Sequence, residues 1–234
     1  MTTGDVNFPI ELDVIGVAIG AVAGALFGAS IPRITIVGMT VFAFVEALGG
    51  AALRDALMGA GPTSALSAAY LITWAAATLA AVLVRYIEHR VAGPLKVVDG
   101  LYLGVWTVAG ADKAIHAGLG LFAAIFLGVI TGTAGSLFRD MLAGRIPSIL
   151  QTGPLRVLAS LAGSVVFVVL HFVPGPRPLD ASIAIALIFG LRMLSERFHW
   201  HLPAIRQLPE PQSRQRTSEH TSLVGPRHAR SRNP

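Results

Sequence analysis

The sequence contains no cysteine, and only 13% of its 234 residues are charged. The first absence excludes disulfides and any metal site built on thiolates. The second leaves about half the charge of an ordinary soluble domain. A basic segment ahead of the first apolar run is missing as well, since the first charges are Asp5 and Glu11. That run is therefore expected to stay in the mature protein rather than leave as a signal peptide. No Ser-His-Asp set or phosphate-binding loop is found, and His116, His171, His199 and His201 lack metal-ligand spacing. The expectation is a protein with no enzymatic activity, no catalytic residue, no metal and no cofactor.

What is present is apolar. Hydrophobic residues make up 53% of the chain, and mean hydropathy is +0.66. A helix needs ~20 mostly apolar residues to cross a bilayer. Seven runs qualify: Leu12–Ile31, Ile34–Met58, Ala65–Tyr86, Pro94–Ala114, Leu119–Leu142, Leu155–Val173 and Ala181–Phe198. Short links holding Pro or Gly join them, which makes sequential helices antiparallel neighbours. The predicted fold is an all-α integral membrane protein with seven transmembrane helices.

The net charge of +5 does not point to nucleic acid, because Lys and Arg sit between the apolar runs and in the tail. Arg33, Arg85, Arg90, Lys96, Arg145, Arg156, Arg197 and the tail fall on one side, against almost only Lys113 and Arg177 on the other. The positive-inside rule then puts residues 1–11 outside and the carboxyl terminus in the cytoplasm of a multi-pass cell (inner) membrane protein. Residues 204–234 are polar and rich in Arg, Ser, Gln and Pro, and are expected to form a disordered cytoplasmic tail.

One unit occurs twice. FVEALGGAALRDALMGAGP, 44–62, aligns with GVITGTAGSLFRDMLAGRIP, 128–147. Gly50 and Gly135, Arg54 and Arg139, Asp55 and Asp140, and Gly59 and Gly144 are each 85 residues apart. Asp13 and Asp99 are 86 apart. Repeats are read before anything else. Residues 12–86 and 94–173 are two three-helix repeats, and 181–203 holds a seventh helix outside them. An odd number of helices before the second copy inverts it, with a pseudo-two-fold axis in the membrane plane.

Several residues inside these helices are candidates for function. Gly49 and Gly50 in helix two and Gly132 and Gly135 in helix five permit kinks. Matched helix breaks in two inverted repeats point to a transport site; simple close packing is the plainer explanation. Arg54, Asp55, Arg139 and Asp140 follow one turn later. Because helix neighbours do not face each other, each Arg is expected to find its partner on another helix, as Asp13–Arg54 and Asp99–Arg139. The same charges could instead only anchor helix ends. Lys113 sits near the outer end of helix four, where it can snorkel. Glu46 lies near the middle of helix two, where a charge is costly and a functional role is the default reading; an ion-paired packing role is the alternative. Gly16, Gly20, Gly24 and Gly28 form a packing stripe on helix one.

On LGGAALRDALMGAGP, GVITGTAGSLFRDMLAGRIP, GADKA and GLRMLSERFHWHLP, the chain resembles the prokaryotic branch of the trimeric intracellular cation channel family, also called a glycine-transporter-domain family. The resemblance covers about residues 11–203. It implies a homotrimer with a separate ion pathway in each protomer, kinks at the glycines of helices two and five, and basic residues near the pathway. Three departures stand out. Gly49-Gly50-Ala51 and Ala134-Gly135-Ser136 replace three glycines. Glu46 stands where a small or hydroxyl residue is usual, as Thr131 is in the second copy. Asp112 precedes Lys113 where an amide is more usual. The expected function is a channel passing monovalent cations, K⁺ first, with K⁺ as permeant ion and bound lipid as a further partner. Rival readings are a carrier of a small amino acid such as glycine, and a scaffold without transport.

Overall fold

The structure, a computed structural model, describes residues 8–59, 66–87, 92–151, 155–198 and 200. The tail 204–234, His199 and His201 lie outside them. Seven α-helices follow in order: α1 Phe8–Ala29, α2 Ile36–Leu57, α3 Ala68–Ile87, α4 Ala92–His116, α5 Leu121–Leu142, α6 Arg156–Leu170 and α7 Arg177–Arg197. Among the described residues no strand occurs.

The helix ends follow local chemistry. Thr35 caps α2, its hydroxyl accepting from the Gly38 amide at 3.1 Å, so one orphan donor is satisfied. α2 and α5 stop alike. The Met58 and Ala143 amides donate to the Arg54 and Arg139 carbonyls, and Gly59 and Gly144 follow in the left-handed region at φ +75° and +66°. Glycine takes that conformation without a Cβ penalty, which is why these positions end helices. α1 and α7 begin about four residues before the apolar runs, through Pro9 and Pro178. A proline in a first turn forfeits no hydrogen bond, since that N–H has no helical partner.

Four of the helices are long and apolar enough to cross a membrane: α1, α2, α5 and α7. The other three fall short for separate reasons. α6 has 15 residues. The apolar part of α3, Ala68–Val84, is also short. α4 carries Lys96, Asp99, Asp112 and Lys113. The chain is a multi-pass membrane protein, and α4, with its four charges, is the helix packed against five others.

α4 contacts α1, α2, α5, α6 and α7. α1 packs on α2 and α3, and α4 packs likewise on α5 and α6. The glycine stripe of α1 lies against these neighbours: Gly16 under the Trp106 ring, Gly20 on Ala47 and Tyr102, Gly24 on Ala43, Gly28 on Met39. Gly100 and Gly104 of α4 seat α7 through Phe189, Met193 and Ile185. Outward faces stay apolar, with Val37, Ile72, Phe122 and Phe126 exposed. That is the inverse of a water-facing bundle and suits a lipid or protein surround.

Candidate functional site: two buried charge clusters

α2 and α5 cross at their glycines. A Cβ added at Gly50 would strike the Thr131 carbonyl oxygen, and one at Gly135 would strike the Glu46 carbonyl oxygen and the Tyr102 hydroxyl. The contact is reciprocal. Glu46 and Thr131 are themselves 85 apart, as are Gly50 and Gly135. Gly49 faces the Phe138 ring of α5, and Gly132 faces Thr107 of α4. Both helices run on through these positions, α2 to Leu57 and α5 to Leu142. Close approach of the two helices is what the missing side chains permit.

One turn beyond the crossing, each arginine enters a cluster. Arg54 is fully buried and grips Asp13 of α1 with two parallel bonds of 2.8 Å. Tyr70 of α3 donates to the same carboxylate at 2.7 Å. Lys113 of α4 reaches Asp55 at 2.9 Å and Asp13 at 3.9 Å. Trp106 lies under the Arg54 guanidinium at 5.7 Å, and its indole donates to the Gly16 carbonyl at 3.0 Å. A ring face beside a desolvated guanidinium adds attraction.

The second cluster is larger. Asp99 of α4 meets Arg139 at 3.5 Å, Arg192 of α7 at 3.3 Å, and Arg156 of α6 in a short contact. Glu46, fully buried, lies 2.9 Å from Arg139, although neither of its carboxylate oxygens has an aligned hydrogen bond. Its backbone carbonyl accepts from Tyr102 at 2.8 Å. Asp140 takes Arg139 at 3.1 Å and the Ser148 amide at 2.8 Å. Phe27 of α1 stacks beneath Arg139 at 4.2 Å and Arg145 at 5.4 Å. A cavity of about 320 Å³ opens on this cluster, lined by Asp99, Arg139, Asp140, Arg156 and Arg192 together with Lys96 and Arg145.

The structure thus brings Asp13 to Arg54 and Asp99 to Arg139. One expectation needs correction. Arg54 also bonds its own neighbour Asp55 at 2.7 Å, and Arg139 its neighbour Asp140. The face rule holds for Cβ directions, but an arginine stem is long enough to fold its guanidinium back to the adjacent carboxylate. Lys113 does not merely snorkel at a helix end; it bridges into the first cluster. Glu46 is ion-paired, and its partner is on the other repeat.

Tyr70, Arg156, Arg192 and Tyr102 were not among the sequence candidates. A signal existed for two of them. Tyr70 and Arg156 are 86 apart, the spacing of Asp13 and Asp99, and they hold those two carboxylates in matching places. Their residue types differ, so a comparison of identities passes over them.

Comparison with known proteins places this arrangement. The family model described as Glycine transporter matches residues 11–86 and again 96–172, one match for each cluster-bearing half. A membrane protein of Deinococcus radiodurans, UPF0126, is 34% identical over 206 residues, covering 85% of this chain and 92% of its own length. The Escherichia coli inner membrane protein YadS is 30% identical over 193 residues, covering 82% and 92%. The solved structure of a TRIC trimeric intracellular cation channel orthologue from Rhodobacter sphaeroides superposes with a TM-score of 0.75 at 30% identity, over 83% of this chain and all of that one. With both halves matched and relatives aligned along most of their length, this chain belongs to the Glycine transporter family, the family of the TRIC channels.

Proposed function

We propose that the protein is a homotrimeric channel for monovalent cations, K⁺ foremost, with one pathway through each protomer between the two charge clusters. The observation that carries this reading is the second cluster. Two carboxylates, Asp99 and Asp140, line a cavity of about 320 Å³, and a third, Glu46, lies buried behind them on Arg139. Carboxylates in a dehydrated passage replace part of a cation's hydration shell. Here arginines occupy them, so conduction requires the guanidiniums to yield. A cation entering from the cavity competes with Arg139 for Asp99, Asp140 and Glu46. The resemblance to a trimeric cation channel orthologue supports the ion class and the assembly. Exposed apolar faces fit both a trimer contact and bound lipid.

The two halves are read as inverted repeats, with all seven helices crossing. Support comes from the reciprocal contact of Gly50 and Gly135, because a pair in which each glycine meets the other's counterpart is what a local two-fold axis produces. A bend of α2 and α5 at that crossing belongs to the same reading. The amino terminus lies outside and the tail in the cytoplasm of the inner membrane, by the distribution of Lys and Arg. Reporters fused at Thr2 and after Pro203 should report opposite sides; the same side for both would end the inverted-repeat reading.

The deciding test is planar-bilayer recording of purified protein under a KCl gradient. The expected outcome is unitary current reversing toward the K⁺ equilibrium potential. No current together with saturable, voltage-independent glycine uptake in proteoliposomes would establish the carrier instead. No flux of either kind would leave a scaffold.

A further inference from the structure

At the other end of α4 from Asp99, three side chains form a chain of contacts outside both clusters. His116 is the last residue of α4, and its Nε2 lies 2.6 Å from an Nη of Arg177, the first residue of α7. Its Nδ1 lies 2.9 Å from the Asp112 carbonyl oxygen and 3.4 Å from the Asp112 carboxylate. Asp112 is fully buried, and neither of its carboxylate oxygens has a hydrogen bond among the described residues.

These contacts determine the protonation state of the ring. A guanidinium has five donors and no acceptor. Nε2 of His116 must therefore accept from Arg177 and carry no proton. A neutral imidazole then has its proton on Nδ1, which donates to the Asp112 carbonyl. The contact exists only with His116 neutral. Protonation would place an N–H on Nε2 against a cation at 2.6 Å, and would offer the Asp112 carboxylate an imidazolium partner in exchange. Both changes pull the same way, toward Asp112 and away from Arg177.

We propose that His116 is a proton-operated latch between the ends of α4 and α7, closed when the imidazole is neutral and open when it is protonated. Other charged groups stand around it. Those that act on Asp112 beside it are Arg177 of α7, His171 in the link after α6 and Asp13 of α1, while Lys113 and Asp180 stand on the same two helix ends. α5 contributes none there, since its only charges, Arg139 and Asp140, lie at its far end. Among the described residues, the charged groups in contact with the ring are Asp112 and Arg177, so they decide which way it turns. The latch is closed while the ring is neutral and lost when the ring takes up a proton. Lys113, one turn before His116, holds Asp55 and Asp13. An open latch therefore loosens the helix end that closes the first cluster. Any effect on current rests on the channel reading; the latch itself does not.

The absence of cysteine makes a direct test possible. Ala117→Cys and Ser182→Cys supply two spin-label sites flanking the latch. Labelled chains are diluted with unlabelled chains in nanodiscs, so that distances within one chain dominate. Between pH 8 and pH 5 the electron–electron distance distribution should broaden and shift outward. His116→Gln keeps an acceptor for Arg177 but does not titrate, and should hold the pH 8 distribution at both values. Arg177→Gln removes the partner cation and should show the acid distribution at both. An unchanged distribution in the parent protein, or a shift that persists in His116→Gln, would overturn the latch. If His116→Gln does not assemble, Arg177→Gln still decides: a pH-dependent shift in it would overturn the proposal. None of these outcomes depends on whether the protein conducts.

Discussion

The two charge clusters share a plan and differ in how they are closed. In the first, Asp13 is gripped by a bidentate arginine, by a neutral tyrosine and more distantly by a lysine. Arg54 has no exposure to solvent. In the second, Asp99 is shared by three arginines from three helices, and a cavity reaches the group. Two residues without counterparts produce the difference. Glu46 stands where the other repeat has Thr131, whose hydroxyl is spent on its own helix, donating to the Leu127 carbonyl at 2.5 Å. Arg192 comes from α7, the helix outside the repeat. The additional acid and the additional base offset each other, so both clusters balance in charge. The first is a closed lock. The second is the same lock with an acid and a base added and one side open to the cavity.

The sharpest way to break this comparison is to remove each central arginine. Arg54→Gln takes the buried guanidinium from Asp13 and Asp55 and leaves them Lys113 and Tyr70, and breaking a buried pair costs about 3–5 kcal/mol. Assembly should be lost, or the midpoint of thermal unfolding in detergent should fall steeply. Arg139→Gln leaves Asp99 with Arg156 and Arg192 beside a cavity, and should cost about 1–3 kcal/mol. Equal losses, or a larger one at Arg139, would show that the second cluster is as closed as the first.

Next come the crossing glycines. A methyl at Gly50 meets the Thr131 carbonyl oxygen, and one at Gly135 meets the Glu46 carbonyl oxygen. Backbone cannot swing aside as a side chain can, so Gly50→Ala and Gly135→Ala should each destabilise the fold by about 1–3 kcal/mol. The double variant should cost less than the two single losses added, because either one already separates the helices. Additive losses in detergent unfolding would show two independent contacts rather than one crossing.

How far the sequence reveals this site depends on what kind of pairing is involved. Asp13–Arg54 and Asp99–Arg139 were readable, because repeat spacing and helix direction put each pair at one end of the bundle. The seven helices were readable from apolar runs. The exact starts of α1 and α7 were not, since proline in a first turn looks like a link. Arg156 and Arg192 were hidden because an arginine near a helix end reads as an interfacial anchor; only the packing of α6 and α7 on α4 turns them inward. The added bonds of Arg54 to Asp55 and of Arg139 to Asp140 were not readable, because face rules describe Cβ positions and not the reach of a guanidinium. Tyr70 was lost because a phenol and a guanidinium do not look alike, although each donates to the carboxylate in its own half.

Glu46 tests the added acid. Glu46→Gln keeps the shape and frees Arg139 from one carboxylate. A carboxylate at the pathway raises cation occupancy. The expected result is a several-fold lower K⁺ conductance and weaker preference for cations over anions, with the trimer intact by cross-linking. Glu46→Thr, which makes the two halves alike at this position, should act in the same direction. Unchanged conductance and selectivity in both variants would mark Glu46 as a packing residue and leave Arg192 without a functional counterpart.

The smallest effect separates a neutral donor from a charged one. Tyr70 and Arg156 occupy matching places, each on the carboxylate of its own half. Tyr70→Phe removes one hydroxyl and nothing else. Asp13 keeps both bonds from Arg54, and Lys113 stands 3.9 Å away with three donors of its own. A hydrogen bond to a charged group contributes about 1.5–3 kcal/mol when nothing replaces it. Replacement by Lys113 is available at short range, so the loss should fall to about 1 kcal/mol or less. Arg156→Leu removes a charge as well as a donor. It leaves three carboxylates, Glu46, Asp99 and Asp140, to two arginines, and among the described residues no lysine pairs with Asp99 in compensation. It should therefore cost more than Tyr70→Phe in the same unfolding assay. The double variant Tyr70→Phe with Lys113→Met removes the replacement, and the tyrosine's contribution should then rise toward the full value for a charged hydrogen bond. A Tyr70→Phe loss that stays the same with and without Lys113 would mean that Lys113 serves Asp55 alone, and that the first cluster is held by the arginine and the phenol without the lysine.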